Sequence, residues 1–436
     1  MTNPIQRLCD DRPIASHGYG PGIVCLFLQL VLTAGVSLRG ASRVIEIVSA
    51  ALGLELPAPH WTTGRHWLLR LGHATLVAQK TAADDWAWII DHSVQIGQEK
   101  CLVILGIRLI DLPPRGQSLR HEDMELIALT PAKSWTRAQV HAALEETAVR
   151  VGHVPRAIVD DHGVDIHGGV ALFQERHAQT VEIYDAKHKA ACLLKARLEK
   201  NPRWAEFQTR VGQTRCSVQQ TELAFLTPPA PKTKARFMNL DRQLAWGKRV
   251  LAIVRKPPRT VRRSVCDERL KEKLGWIEGF ADDLTEWSQW QQVIDVGVTL
   301  VNRQGIYRGV SRSLARQFSH LDALNDSGKQ LAAELVKFVR GHERLAGATE
   351  RFPGGTEVLE SCFGKFKQLE KQQSRGGFTQ LVLGFGSLLA KLVPEKVCEA
   401  LQGSAVEDVR EWVSRHLGVT VFAQRKMAYA SATEDG

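Results

Sequence analysis

The chain has 436 residues, 44% of them hydrophobic, which is enough for a sizeable core and suits two to four domains better than one. Its 57 Lys and Arg against 47 Asp and Glu give a formal charge of +10, which favours a polyanionic partner. Its eight cysteines (9, 25, 101, 192, 216, 266, 362 and 398) include no CxxC pair, which argues against a cysteine zinc site and for buried thiols in a reducing compartment. The apolar run IVCLFLQLVLTAGV (23–36) is too short for a membrane span, and the polar and acidic first twenty positions do not read as a secretory leader. The expectation is a cytoplasmic protein with no membrane partner.

Residues 1–20 read as loose, bracketed by Pro and Gly. A first helix is expected over 21–36 and a second over SLRGASRVIEIVSAALGLEL (37–56), with Ser37 as N-cap. In PAPHWTTGRHWLLRLG (57–72) a Pro-marked turn leads to Thr62 or Thr63 at a cap and a short helix ending at Gly72. Three short helices with a sharp break before the last form a helix-turn-helix pattern, predicted as a DNA-binding module over 1–76. Arg65, His66 and Arg70 would face DNA, while Trp61, Trp67 and Leu68 pack inward. A plain helical bundle with surface arginines fits the same residues.

From 84 the period changes to that of strands, expected over 84–96, 99–110 (with Gly97 in the turn) and 124–131. A helix over 135–152, capped by Ser134, precedes further strands at 156–161 and 180–185. The order β-β-β-α-β-α-β implies an α/β class with a mixed sheet and helices on its faces. Residues 84–190 are read as the first part of this core and 191–350 as a helical insertion. The core then resumes over 351–400, followed by a last helix and tail over 401–436. The insertion holds a basic stretch, 231–273, with 14 Lys or Arg against 4 Asp or Glu, broken at Pro257–Pro258. There Lys248, Arg249, Arg262 and Arg263 are candidates for gripping a nucleic-acid backbone, which gives salt-dependent, sequence-blind affinity. Trp276, Trp287 and Trp290 suit either a core or base stacking. GGF at 376–378 is too short for a phosphate loop.

Three acidic positions carry the chemistry. Asp91 ends the apolar run WAWIID (86–91), Asp161 ends RAIVDD (156–161), and Glu360 lies in TEVLESCFGKFKQLEK (356–371). A carboxylate at the border of a core needs a partner. Hard oxygen ligands converging from separate elements hold divalent metal, and two ions about 4 Å apart support phosphodiester displacement. Asp91 could instead cap a turn before His92 and Ser93. Asp160 and Asp165 compete with Asp161, and Glu357 shares a helix face with Glu360. Lys367, seven residues beyond Glu360, returns to that face and could reach a phosphate. His92 and His162 flank the two aspartates.

In order and setting, these motifs over residues 25–395 resemble the DDE-superfamily transposases, which have an RNase H-like catalytic core. Asp91 matches the first-strand Asp, Asp161 with Gly163 matches the Asp-x-Gly of the fourth strand, and Glu360 with Lys367 matches the Glu–Lys spacing of cut-and-paste insertion-sequence enzymes. The Tyr and Arg usually found just upstream of the Glu are absent at that spacing. DAKH (185–188) resembles the Cys/Asp-x-x-His motif of hAT-like transposases, which also carry a helical insertion before the Glu. The resemblance implies an RNase H-like mixed-sheet core, a large helical insertion and an N-terminal helix-turn-helix. It implies cleavage at element ends followed by strand transfer, with Asp91, Asp161 and Glu360 holding two Mg²⁺ or Mn²⁺ ions. His188 would orient a phosphate, supported by Asp185. Implied partners are double-stranded DNA with terminal inverted repeats, target DNA and a second copy in a homodimer, at the nucleoid of a bacterial cell. A catalytically silent DNA-binding derivative and a standalone RNase H-like nuclease are the alternatives.

Overall fold

Apolar and β-branched residues dominate both WAWII and KCLVILGI, and these segments pair as the centre of a five-stranded sheet. The computed structural model describes residues 11–15, 17–96, 99–230, 240–321, 324–372 and 380–417. The turn expected at Gly97, the first residues of the basic stretch (231–239), GGF at 376–378 and the tail beyond 417 lie outside the described residues. The strands are β1 (Trp86–Ile96), β2 (Glu99–Arg108), β3 (Glu125–Ala132), β4 (Ala157–Asp160) and β5 (Val181–Tyr184), in the spatial order β3-β2-β1-β4-β5. β1 and β2 are antiparallel, as are β2 and β3, whereas β4 runs parallel to β1.

The chain divides into two units. One comprises residues 1–113, 119–183 and 356–436, the other 114–118 and 184–355. In the first, α1 (Pro21–Leu32), α2 (Leu38–Leu52) and α3 (Trp61–Val77) precede the sheet. Two further helices, α4 (Arg137–Val151) and α5 (Val164–Arg176), cover one sheet face. Trp86, Trp88, Ile90, Ile104 and Ile158 meet Val140 and Leu144 of α4 and Ile166 and Phe173 of α5 there.

Sequence expectations need several corrections. The N-terminal helices, read from sequence as a module over 1–76, group with the sheet in the first unit. The insertion spans Tyr184–Gly355 rather than 191–350. Ser37 does cap α2, accepting from the Gly40 amide at 3.0 Å. Helix α3, however, is capped by the His60 ring rather than by Thr62 or Thr63, and it runs through Gly72 to Val77. Thr136 caps α4 in place of Ser134, in a reciprocal pair with Gln139.

Gly72 was misread because a helical glycine also serves close packing. A Cβ there would stand 1.7 Å from the Leu383 carbonyl oxygen, beside α15 (Gly384–Ser387), and one at Gly386 would stand 2.5 Å from the Gly72 oxygen. Two backbones cross here with no room for a side chain. Beyond α15 come α16 (Pro394–Gly403) and α17 (Val406–His416), which also pack on α3.

The second unit is helical: α6 (Ala186–Leu198), α7 (Pro202–Val218), α8 (Asp241–Arg255), α9 (Arg259–Arg262), α10 (Asp267–Leu274), α11 (Ala281–Gln304), α12 (Val310–Ser319) and α13 (Asp326–Glu343). Its tryptophans pack rather than project. Trp287 is buried edge-on against Trp204 at 4.9 Å, Trp276 donates to Thr214 Oγ1 at 3.0 Å, and Trp290 donates to Ser327 Oγ at 2.9 Å. Among the described residues no helix is long and apolar enough to cross a membrane.

Glu343 anchors the start of α12, accepting from the amides of Gly309 (3.2 Å) and Ser311 (2.8 Å) and from the Ser311 hydroxyl (2.8 Å). Glu343→Ala orphans these donors and should lower stability by about 1–3 kcal/mol, read from urea unfolding of the variant against the parent.

Candidate active site

The parallel pairing of β1 and β4 sets Ile89 against Val159. The paired ladder ends at that step; Asp91 lies two residues further along β1, and Asp161 directly follows the last residue of β4. Side-chain parity decides the face. Trp88, Ile90 and Ile158 turn toward α4 and α5, so Ile89, Asp91 and Val159 turn to the opposite face. That face receives α14 (Glu357–Lys371), which packs on β1. Asp91 is buried at 8% exposure, and the β1–β2 register shifts directly after it. Such an irregularity re-aims a strand end and often accompanies a functional site.

Asp161 is half-exposed, and its Oδ1 accepts from the Gly163 amide at 2.8 Å. Gly163 has an ordinary φ of −53°, so its use is space. A Cβ there would lie 3.1 Å from Asp161 Oδ1 and 3.3 Å from Asp165 Oδ1. The Asp-x-Gly spacing keeps the turn narrow enough to hold both carboxylates.

Asp160 occupies the other face. It is fully buried, its Oδ1 accepts from the His162 amide at 2.6 Å, and its carboxyl meets that of Glu182. Burial, and then the neighbouring Glu182 carboxylate, push its pKa well above the usual carboxylate range. Asp165 joins His92 at 2.7 Å, tying α5 to β1.

Helix α14 buries Val358, Leu359, Cys362, Phe363, Phe366 and Leu369. Glu360 and Lys367 are exposed and seven residues apart, so they share one stripe, and half-buried Glu357 opens the helix. Both glutamates sit in the first turn, where the helix dipole favours negative charge. Lys365 is turned aside to His121, with its Nζ 2.8 Å from Nε2.

Other expected site residues lie elsewhere. Arg70 of α3 donates to the Ser404 carbonyl at 2.6 Å and to that of Leu401, and Arg65 reaches Gln380 Oε1 at 3.4 Å. Of the three expected DNA-facing residues on α3, only His66 is exposed. The guanidiniums clamp the helix to the following segments, as cations do at helix C-termini. His188 belongs to the second unit. There Asp185, 1% exposed, caps α6 by accepting from the His188 amide at 2.9 Å. The Asp-x-x-His spacing is therefore also that of an N-cap and its third helical residue. In the same unit Lys248, Arg249, Arg262 and Arg263 are exposed on α8 and after it, together with Arg242, Arg255, Lys256 and Arg259.

Sequence reasoning missed Glu182 and His167. Glu182 lies within a short strand, where a charge among apolar neighbours was the available signal. Its carboxylate meets His167 Nδ1 at 2.8 Å and His162 Nε2 at 3.5 Å. Burial lifts the Glu182 pKa from the usual 4.5 to about 7. A raised carboxyl pKa contributes stability that is full below pH 4.5 and lost as pH rises through about 7. In chelator-treated protein, Glu182→Gln should remove that loss, gaining up to about 3 kcal/mol over the parent between pH 4.5 and 8. Denaturant unfolding across this range checks it.

No protein-family model matches the chain, and no curated protein sequence matches it.

Proposed function

We propose that this protein cleaves and joins DNA strands as a DDE-type transposase, with Asp91, Asp161 and Glu360 as its acidic triad. The observation that carries the reading is that Asp91 lies just beyond the β1–β4 ladder and Asp161 directly follows β4, on a sheet whose β1 is packed by the glutamate-bearing helix. The strand order β3-β2-β1-β4-β5 with an antiparallel β1–β3 meander supports an RNase H-like core. A helical unit entering after β5 and ending just before α14 supports a transposase of the inserted type.

The donor set is all carboxylate, which suits hard Mg²⁺ or Mn²⁺. When bound, two such ions supply Lewis acidity for in-line displacement at phosphorus. The chain's own groups do the positioning. The strand-end aspartates are fixed by the sheet, Gly163 holds the Asp161 turn open, and Lys367 extends along the Glu360 stripe toward a phosphate. The α8–α9 cations hold the DNA backbone and α3 serves as a packing element.

The test is Mg²⁺- or Mn²⁺-dependent cleavage of DNA carrying the flanking element ends, comparing the parent with Asp91→Asn. Cleavage by the parent, lost in a variant that still binds DNA, is expected. Absence of cleavage by folded, DNA-binding parent protein would favour a catalytically silent derivative. Cleavage without regard to the element ends would favour a nuclease.

Replacing Lys248, Arg249, Arg262 and Arg263 together by Ala should weaken binding alike on all sequences. The slope of log K against log salt should fall by roughly 3 to 4. Fluorescence anisotropy over a salt series measures both effects.

A further inference from the structure

We propose that His162, His167 and Glu182, with Asp160 behind them, form a second metal site for a Zn²⁺-class ion, distinct from the Asp91–Asp161 face. The cluster stands where the β4 turn, the first turns of α5 and β5 meet. One ligand atom from each of His162, His167 and Glu182 lies within 4.8 Å of the others. Glu182 Oε1 and Oε2 are 2.8 and 3.0 Å from His167 Nδ1, and His162 Nε2 is 3.5 Å from Oε1. Ligands around a tetrahedral ion with bonds of about 2.0–2.1 Å stand roughly 3.4 Å apart, so only small shifts are needed to seat one.

Two further observations point to a cation. The buried Asp160 carboxyl meets the Glu182 carboxyl. Two carboxyls therefore converge behind two imidazoles. The imidazoles stack on one another at 4.3 Å with an interplanar angle of 22° while sharing a single carboxylate. Two nitrogens with carboxylate oxygen select a borderline ion over Mg²⁺. The side chains of His167 and His162 are 48% and 27% exposed, which leaves an entry path.

The site has a consequence for the turn above it. Among the described residues His162 is the one non-glycine with positive φ, at 57°. An ion on its Nε2 would pin that backbone, and with it the neighbouring Asp161. The site itself does not depend on catalysis.

The test uses the full-length, chelator-stripped protein, titrated with Co²⁺ in excess Mg²⁺ and followed by visible absorption. One equivalent should bind, with d–d bands of nitrogen–oxygen ligation and no thiolate charge-transfer band. His167→Ala removes a half-exposed ring and His162→Asn keeps a residue that tolerates positive φ, so neither should prevent folding. Loss of a group that merely orients a metal ligand costs about 10–100-fold in affinity, so each of these ligand losses should weaken binding at least about 100-fold. Asp91→Asn should bind as the parent does. Zn²⁺ should raise the melting temperature of the parent and of Asp91→Asn, but not of His162→Asn. No Co²⁺ spectrum, thiolate bands, or titrations unchanged in both histidine variants would overturn the proposal.

Discussion

Asp161→Asn should abolish metal-dependent DNA cleavage, while Asp160→Asn should leave most of it. The two residues are adjacent, but Asp160 ends β4 and is sealed beside Glu182, whereas Asp161 follows the strand and is half-exposed. Removing one charge from a converging carboxylate set should lower single-turnover cleavage by roughly 10³-fold, about 4 kcal/mol in the barrier. Asp160→Asn is isosteric, and its oxygen can still accept from the His162 amide, so cleavage should stay within about tenfold of the parent. It also replaces a buried carboxyl by a neutral group, so its melting temperature should be no lower. Equal losses in the two variants would mean that the choice of Asp161 over Asp160 is wrong.

Gly72→Ala should be among the most damaging single-methyl changes in the chain. The new Cβ would sit 1.7 Å from the Leu383 carbonyl oxygen, a backbone atom that no rotamer change can move. Helix α3 must then separate from α15, breaking the contact in which Ser387 donates to the Leu68 carbonyl. A cost above about 3 kcal/mol is expected, near the upper range for overpacking. The first unit should melt roughly 5–10 °C lower. Gly341→Ala in α13 is the contrast. Nothing lies within 4 Å of its Cβ, so helix propensity alone predicts a gain of about 0.5–1 kcal/mol. Differential scanning calorimetry of both variants separates packing from backbone entropy.

The sheet was legible because its strands are rich in β-branched and aromatic residues, bounded by Gly, Pro and Asp. Strand and helix types in the core were readable from period, and Ser37 from capping chemistry. What failed was tertiary. Gly72 looked like a helix end because a glycine that ends a helix and one that lets two backbones touch are the same letter. Nothing local in the sequence reveals that Arg65 meets Gln380 or that Arg70 meets the carbonyls of Leu401 and Ser404. The strand-end aspartates were visible, but the choice between Asp160 and Asp161 was not. Both faces of β4 are covered, so Ala157, Ile158 and Val159 are all buried and leave no alternation to read. Glu182 lies fifteen residues from His167, and only the β4–β5 neighbourhood brings it beneath the turn.

In the proposed function, carboxylates from β1, the β4 turn and α14 converge on divalent metal. Crystals soaked in Mn²⁺ and measured at the manganese absorption edge test it most directly. Anomalous density is expected between Asp91, Asp161 and a glutamate of α14, and is expected to be lost in Asp91→Asn. Manganese density confined to other places in the parent, with this face empty, would contradict it.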